Sequence, residues 1–318
     1  LIDYIRIQPL SAIVDSTQAI MDPPSLDPPP DADYPGFVDD NKERRSMIWV
    51  GANDGMLHGI DARLGKEVWA FIPFNLLPKL RALRSGQPLG DFRFYVDGSP
   101  KVADVKVGGQ WYSYLVMGEG PGGTFYQTFD VTLPNMGQTV SPMSDTLADV
   151  LSYFSSASGV PLKWAFPKYQ HFDYSCSFSG GNCPALSPWG DIAAGAPTIS
   201  KTVGETWSDP AVGQIAAASS PYVVLTGSGF LKYSIQQQVN RAGVVGGNTF
   251  YVLDIATGNV LDSRSVGNDS RGETGPLFPL LSTADNCAAA NNCTQIKNAL
   301  QADPVATGPA DSRYITKV

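Results

Sequence analysis

Two histidines and four cysteines are the soft ligands this chain possesses, and their spacing bounds its chemistry. His58 sits among apolar residues in a strand-like run, and neither it nor His171 falls in the HxxxH or CxxC spacing that four-coordinate zinc uses. Cys176 and Cys183 enclose SFSGGN; Cys287 and Cys293 enclose AAANN, again a loop-like composition. Short closures cost little chain entropy, so Cys176–Cys183 and Cys287–Cys293 are the expected disulfides, and they imply an oxidising compartment. A hydrolytic triad has little support, because there is no Gly-x-Ser-x-Gly elbow and histidine is scarce. Residues 118–123, GEGPGG, have the glycine density of a phosphate loop but lack the following Lys-Ser/Thr and helix. They join two apolar runs and read as a hairpin turn. No catalytic residue is expected.

The elements that would position any such group are short strands. Residues 46–73, SMIWVGANDGMLHGIDARLGKEVWAFIP, read as three of them joined by tight turns, the first through Asn53-Asp54-Gly55. Asp61, Gly65 and Trp69 follow at D-x3-G-x3-W spacing. Asp61 can accept backbone N–H bonds and close the second turn, Gly65 can take the left-handed conformation, and Trp69 can pack its ring on a neighbouring sheet. The motif resembles the tryptophan-docking motif of quinoprotein-like β-propellers. An ordinary meander in another all-β domain would show similar turns, but a per-blade motif favours the propeller.

Composition agrees with an all-β class. Gly 32 and Pro 25 suit a turn-dense chain, and 43% hydrophobic with 16% charged residues is globular. The net charge of −8 argues against a nucleic-acid partner. No run of about 18 apolar residues is present, so no membrane-spanning helix is expected. The chain opens in mid-pattern at Leu1 and stops in a strand-like run, which reads as a piece of a longer protein.

In order along the chain, blade one is expected over 1–73, its first strand near 9–14, with a Pro- and Asp-rich extended excursion over 22–45. Leu76, Leu77, Leu80 and Leu83 predict a short helix near 75–84 with Asn75 as a cap and Lys79 on a solvated face. Blade two is expected over 94–167, with an insertion at 134–160 whose Leu147, Val150, Leu151 and Phe154 have helical spacing. An insertion at 168–194 precedes blade three, expected over 195–267. There, 195–199 echoes 98–102, YVVLTG echoes YLVMG, and Asp254 and Gly258 repeat the Asp61–Gly65 spacing. Position 262 is Asp, so the docking Trp is lost in that unit. A further blade begins in 275–318, and a last short helix is expected near 294–302.

Several stretches together resemble the PilY family of type IV pilus tip and biogenesis factors: 47–62 (MIWVGANDGMLHGIDA), 69–78 (WAFIPFNLLP), 94–105 (FYVDGSPKVADV), 108–123 (GGQWYSYLVMGEGPGG) and 247–258 (GNTFYVLDIATG). The resemblance implies a C-terminal, non-enzymatic propeller region, exported through the periplasm and displayed extracellularly with minor pilins at the pilus tip. It further implies a part in pilus assembly, retraction control and adhesion to a host or abiotic surface. A family calcium loop of the form D-x-D-x-N-x3-D would fall on Asp303 and Asp311, where Val305 and Thr307 replace the middle acids. Two carboxylates are too few for tight calcium binding unless carbonyls and waters complete the shell. No other cofactor is implied. A quinone-dependent dehydrogenase, the nearest enzyme reading, would call for an adjacent Cys-Cys pair that this chain lacks. A third reading is a propeller that serves only as a docking platform.

Partner contacts are expected in the long inserted segments 22–45, 134–160, 168–194 and 203–219, because long loops on a rigid scaffold usually carry binding. Their solvent-facing aromatic candidates are Tyr34, Phe37, Tyr169, Phe172, Tyr174 and Trp207.

Overall fold

A computed structural model describes residues 10–77, 79, 80, 83, 94–133, 146–155, 159–167, 203–215, 222–229, 249–265, 304, 314 and 315. The strands are β1 (Ala19–Met21), β2 (Met47–Gly51), β3 (Leu57–Asp61), β4 (Lys66–Phe71), β5 (Lys101–Val107), β6 (Gln110–Gly118), β7 (Tyr126–Asp130), β8 (Leu162–Phe166), β9 (Ala211–Ile215), β10 (Tyr222–Gly227), β11 (Thr249–Asp254), β12 (Val260–Ser265) and β13 (Tyr314–Ile315). Among the described residues, the helices α1 (Tyr34–Asn41) and α2 (Leu147–Ser155) and a 3-10 turn (Phe74–Leu76) join them. The strands form three sheets, ordered β1-β2-β3-β4, β5-β6-β7-β8 and β12-β11-β10-β9-β13. All pairings are antiparallel except that of β13 with β9. The fold is all-β, and the four-stranded meanders are the blades of a β-propeller.

Both faces of the middle sheet are buried, which explains why YLVMG reads as a continuous apolar run and not as an alternating one. Leu115, Met117 and Phe129 join Trp49, Met56, Leu57 and Val68 of the first sheet in one core. Tyr114, Val116, Tyr126, Trp164 and Phe166 join Tyr222, Val224, Tyr251 and Leu253 of the third in another. Helix α2 buries Val150, Tyr153 and Phe154 against the first core, beside β4.

The register places one wedge position on each outer strand. Trp69 pairs with Gly59, Trp164 with Thr128, and Asp262 with Val252, each beside a register shift. Trp69 meets Phe129 of the second sheet edge-on, with centroids 5.6 Å apart, and also meets Trp49 of its own sheet. Trp164 donates its indole N–H to the Ile255 carbonyl of the third sheet at 2.8 Å, and its ring lies against Gly258. Asp262 offers no ring, and Asp254 nevertheless closes the same type of turn as Asp61.

Several expectations are corrected. The first strand of blade one is Ala19–Met21, not 9–14; the residues of that run that are described, 10–14, are not in a strand. The 22–45 excursion is not extended throughout, because Asp31 accepts the Asp33 and Tyr34 N–H groups and starts α1 at Tyr34-Pro35. The segment 203–219 is not simply an inserted polar loop, since β9 lies within it; the 195–199 run lies outside the described residues. Asn75 is not a cap and Lys79 is not simply solvated; both side chains reach into blade two. The expected helix near 294–302 lies outside the described residues.

Candidate functional site

Each sheet is entered through a leader segment, 10–18, 94–100 or 203–210, and these leaders meet at one end of the blades. Register makes Ser16, Gly98 and Ser208 equivalent, because Ala19, Lys101 and Ala211 each pair two residues before the glycine that ends the second strand. Ser16 Oγ accepts the Gly51 N–H at 2.9 Å and donates to the Gly98 carbonyl at 3.1 Å. Ser208 Oγ accepts the Gly227 N–H. Glycine is required at 98, where a Cβ would lie 2.4 Å from the Gly118 carbonyl oxygen.

Neighbouring leaders then bond to one another in the same order. The Asp15 N–H donates to Asp97 Oδ1, the Thr17 N–H to Ser99 Oγ, and the Ser99 N–H to Asp209 Oδ1. Backbone donors of one blade are thereby satisfied by side chains of the next, so the blade-entry strands cannot slide independently. A cavity of about 350 Å³ opens between β5 and the β9 entry, crossed by the Lys101–Asp209 pair at 3.6 Å.

Glu119, in the GEGPGG turn, is the hub of this end. It is 0% exposed. Its carboxylate accepts from Asn75 Nδ2 at 2.8 Å, Gln127 Nε2 at 2.7 Å and the Phe125 N–H at 3.2 Å. Its own N–H donates to Thr206 Oγ1 at 2.7 Å, and the Thr206 N–H returns to the Gly123 carbonyl. One residue therefore ties the linker after blade one, the turn of blade two and the leader of blade three. Gly122 beside it is a steric necessity, since a Cβ there would sit 1.5 Å from the Tyr95 carbonyl oxygen. Burial pushes the Glu119 carboxyl up to about 7, against the pull of its hydrogen bonds and of Lys79.

His58 lies between two carboxylates, with Nε2 3.1 Å from Asp54 Oδ1 and Nδ1 2.5 Å from Glu67 Oε2. Its burial lowers its pKa, but the bonds to Asp54 and Glu67 prevail and carry it up to about 9. His58 is 0% exposed, and its bonds to Asp54 and Glu67 hold the hairpin to β4.

What the loop end does offer is apolar surface. Leu10, Ile13, Val14, Phe74 and Trp207 are all exposed, and all belong to the leaders or to the linker between blades one and two. They sit on segments held by the polar contacts above, which is how a binding face is fixed on a scaffold.

The residues singled out from sequence fall as follows. Asp61 accepts from Arg45 Nε at 2.6 Å and the Leu64 N–H at 2.8 Å, Gly65 has φ +60, and Trp69 stands at the sheet interface. Trp207 is 38% exposed with its indole N–H on Glu205. Tyr34 and Phe37 do not face solvent. They are 0% and 8% exposed, packed edge-on and stacked against Trp111, and the Tyr34 hydroxyl donates to Asp104 at 2.6 Å. The amphipathic spacing of a single helical turn anchors α1 on blade two. Tyr169, Phe172, Tyr174, Cys176, Cys183, Cys287, Cys293, Asp303 and Asp311 lie outside the described residues. Among the described residues, no group of three or more His, Cys, Asp or Glu is placed to hold a metal, and no helix is long and apolar enough to cross a membrane.

Sequence reasoning passed over Glu119, Asp97 and Trp164, and read Asn75 only as a helix cap. The repeated Trp-Ala-Phe of 69–71 and 164–166 was a usable signal for Trp164, and the glycines flanking Glu119 were one for that residue.

Residues 12–142 match the family model of the PilY1 beta-propeller domain. The chain is 44% identical over 106 residues to the type IV pilus biogenesis factor PilY1 of Pseudomonas aeruginosa strain PAK, a match covering 33% of this chain and 9% of that protein. It is 42% identical over 105 residues to a PilY1 homolog of Xylella fastidiosa, covering 32% and 8%. The matched region thus spans about a tenth of the length of these relatives. Among solved structures, the Pseudomonas aeruginosa PilY1 C-terminal domain aligns with a TM-score of 0.42 at 24% identity, over 74% of this chain and 33% of that one.

Proposed function

We propose, from the PilY1 β-propeller domain carried by residues 12–142, that this chain is the propeller region of a type IV pilus biogenesis factor. In this reading it acts without catalysis, outside the cell, at the pilus tip with minor pilins, and contributes to pilus assembly and surface adhesion. The carrying observation is the 44% identity to a protein named for pilus biogenesis. Two features support a binding role. The His58–carboxylate constellation is buried and structural, and the loop end presents Leu10, Ile13, Val14, Phe74 and Trp207 on an internally fixed frame.

The experiment compares full-length protein with a variant carrying Phe74→Asp and Trp207→Asp, and with one lacking 168–194. Minor-pilin co-purification, pilus number and adhesion to a surface are measured in the same strains. The reading expects folded, exported variants with reduced pilin capture or adhesion. Unchanged capture, piliation and adhesion in both variants would place the contacts elsewhere.

A further inference from the structure

At the opposite end of blade one, the returning arm of the 22–45 excursion meets the β3–β4 turn. Pro23, Lys42, Glu43, Arg44, Arg45, Ser46 and Arg63 enclose a cleft of about 300 Å³ there, a size at the lower end of small-ligand sites. The charge is unusual for a chain of net −8. Four cations line the cleft, and Glu43 is its one acid.

The two central arginines are built in. Arg44 is 4% and Arg45 3% exposed. Arg45 is committed through Nε to Asp61, which is itself buried. Arg44 differs, because neutral oxygens hold it. One terminal nitrogen donates to Ser113 Oγ at 2.8 Å and to the Thr132 carbonyl at 3.3 Å, and the other donates to the Asp22 carbonyl at 2.5 Å. Its Nε is buried without a hydrogen-bond partner, and no carboxylate makes an ion pair with it among the described residues. Asp104 is bridged to it by the Ser113 hydroxyl, which donates to Asp104 Oδ1. Asp22 Oδ1 is taken by Ser46 Oγ.

A buried guanidinium without a carboxylate ion pair is costly, and an unpartnered guanidinium N–H is a donor that an oxyanion can satisfy. We infer that this cleft binds a tetrahedral oxyanion, a phosphate or sulfate group free or carried on a sugar, with Arg44 as its buried anchor and Lys42 and Arg63 as its exposed rim. The site is independent of the loop end and of the pilus reading. Burial holds the Arg44 guanidinium below its usual pKa, and the charges of Asp104 and Asp22 offset this only in part.

The test is thermal unfolding and calorimetric titration of the full chain with inorganic phosphate, inorganic sulfate and a sulfated disaccharide, against chloride at matched ionic strength. Saturable binding with a rise in Tm is expected for at least one oxyanion, and the best probe separates free ion from sugar-borne group. Lys42→Glu and Arg63→Ser lie at exposed positions, so they should keep the Tm in chloride while weakening binding about tenfold or more. Arg44→Lys, which retains charge but not the donor edge, should weaken it likewise. A response to all three probes no larger than that to chloride, or one unchanged in both rim variants, would overturn the assignment.

Discussion

Gly65 and Gly258 occupy the same turn with the same backbone, φ +60 and +69, but only one of them touches a tryptophan. Nothing lies within 4 Å of a Cβ built on Gly65, whereas one on Gly258 would approach the Trp164 ring to 2.6 Å. Alanine in the left-handed region costs about 1–2 kcal/mol. Against this, the loss of unfolded-chain freedom returns about 0.4–1 kcal/mol. Gly65→Ala should therefore destabilise by about 1 kcal/mol. Gly258→Ala adds an overpacking cost of about 1–3 kcal/mol, because the ring is also tied through its N–H to the Ile255 carbonyl and cannot retreat freely. Its expected total is about 2–4 kcal/mol. Urea unfolding at constant m-value reads both numbers. In a Trp164→Ala background the excess should vanish, a coupling of about 1–3 kcal/mol in the double-mutant cycle. Equal costs for the two glycine substitutions, or no coupling to Trp164, would refute the reasoning that this ring is the wedge between blades two and three.

Three further outcomes follow from the buried polar groups. Arg45→Met leaves Asp61 buried without its cation and should cost about 3–5 kcal/mol in urea unfolding, with Asp61→Asn in the same background recovering part of it. His58 has its pKa raised above 6.5 to about 9, so its contribution is fully present below pH 6.5 and is lost as pH rises through 9. The stability difference between wild type and His58→Gln should therefore shrink between pH 7 and 10. Glu119 has its pKa raised to about 7, which makes the folded state prefer the protonated carboxyl. Stability should fall as pH rises from about 4.5 through 7, and Glu119→Gln should flatten that slope in unfolding measured across the same range.

The parts of this fold that were legible in sequence are those set by local chemistry. Asp61–Gly65 and Asp254–Gly258 could be read because a turn closed by a carboxylate and a left-handed glycine involves only neighbours in the chain. The strands of blade two could be read because burial on both faces leaves an unbroken apolar run. What could not be read depends on distant partners. Trp164 is separated from Asp130 by the inserted segment, so the D-x3-G-x3-W spacing that reveals Trp69 is broken although the register is the same. Tyr34 and Phe37 have the composition of a loop tip, but Trp111 and Asp104, more than 65 residues away, turn them inward. Glu119 was hidden in a glycine-rich turn whose meaning needs Asn75 and Thr206 to be seen beside it.

The same contacts bear on how a partner would be held. A net charge of −8 suggests an acidic surface, yet Asp54, Asp61, Asp97 and Glu119 are all buried and engaged in turns and blade joints. Burial also raises the pKa of Asp97, and Glu119 is pushed to about 7, so Glu119 does not carry a full charge near neutrality. His58, with its pKa near 9, contributes a positive charge that the formal count omits. The exposed side chains of the loop end include Leu10, Ile13, Val14, Phe74 and Trp207. Association there would draw chiefly on apolar burial, which salt screens little, whereas an oxyanion at Arg44 would be sensitive to ionic strength. The two ends of blade one thus differ in the physics of what they can bind, and salt dependence is the property that tells them apart.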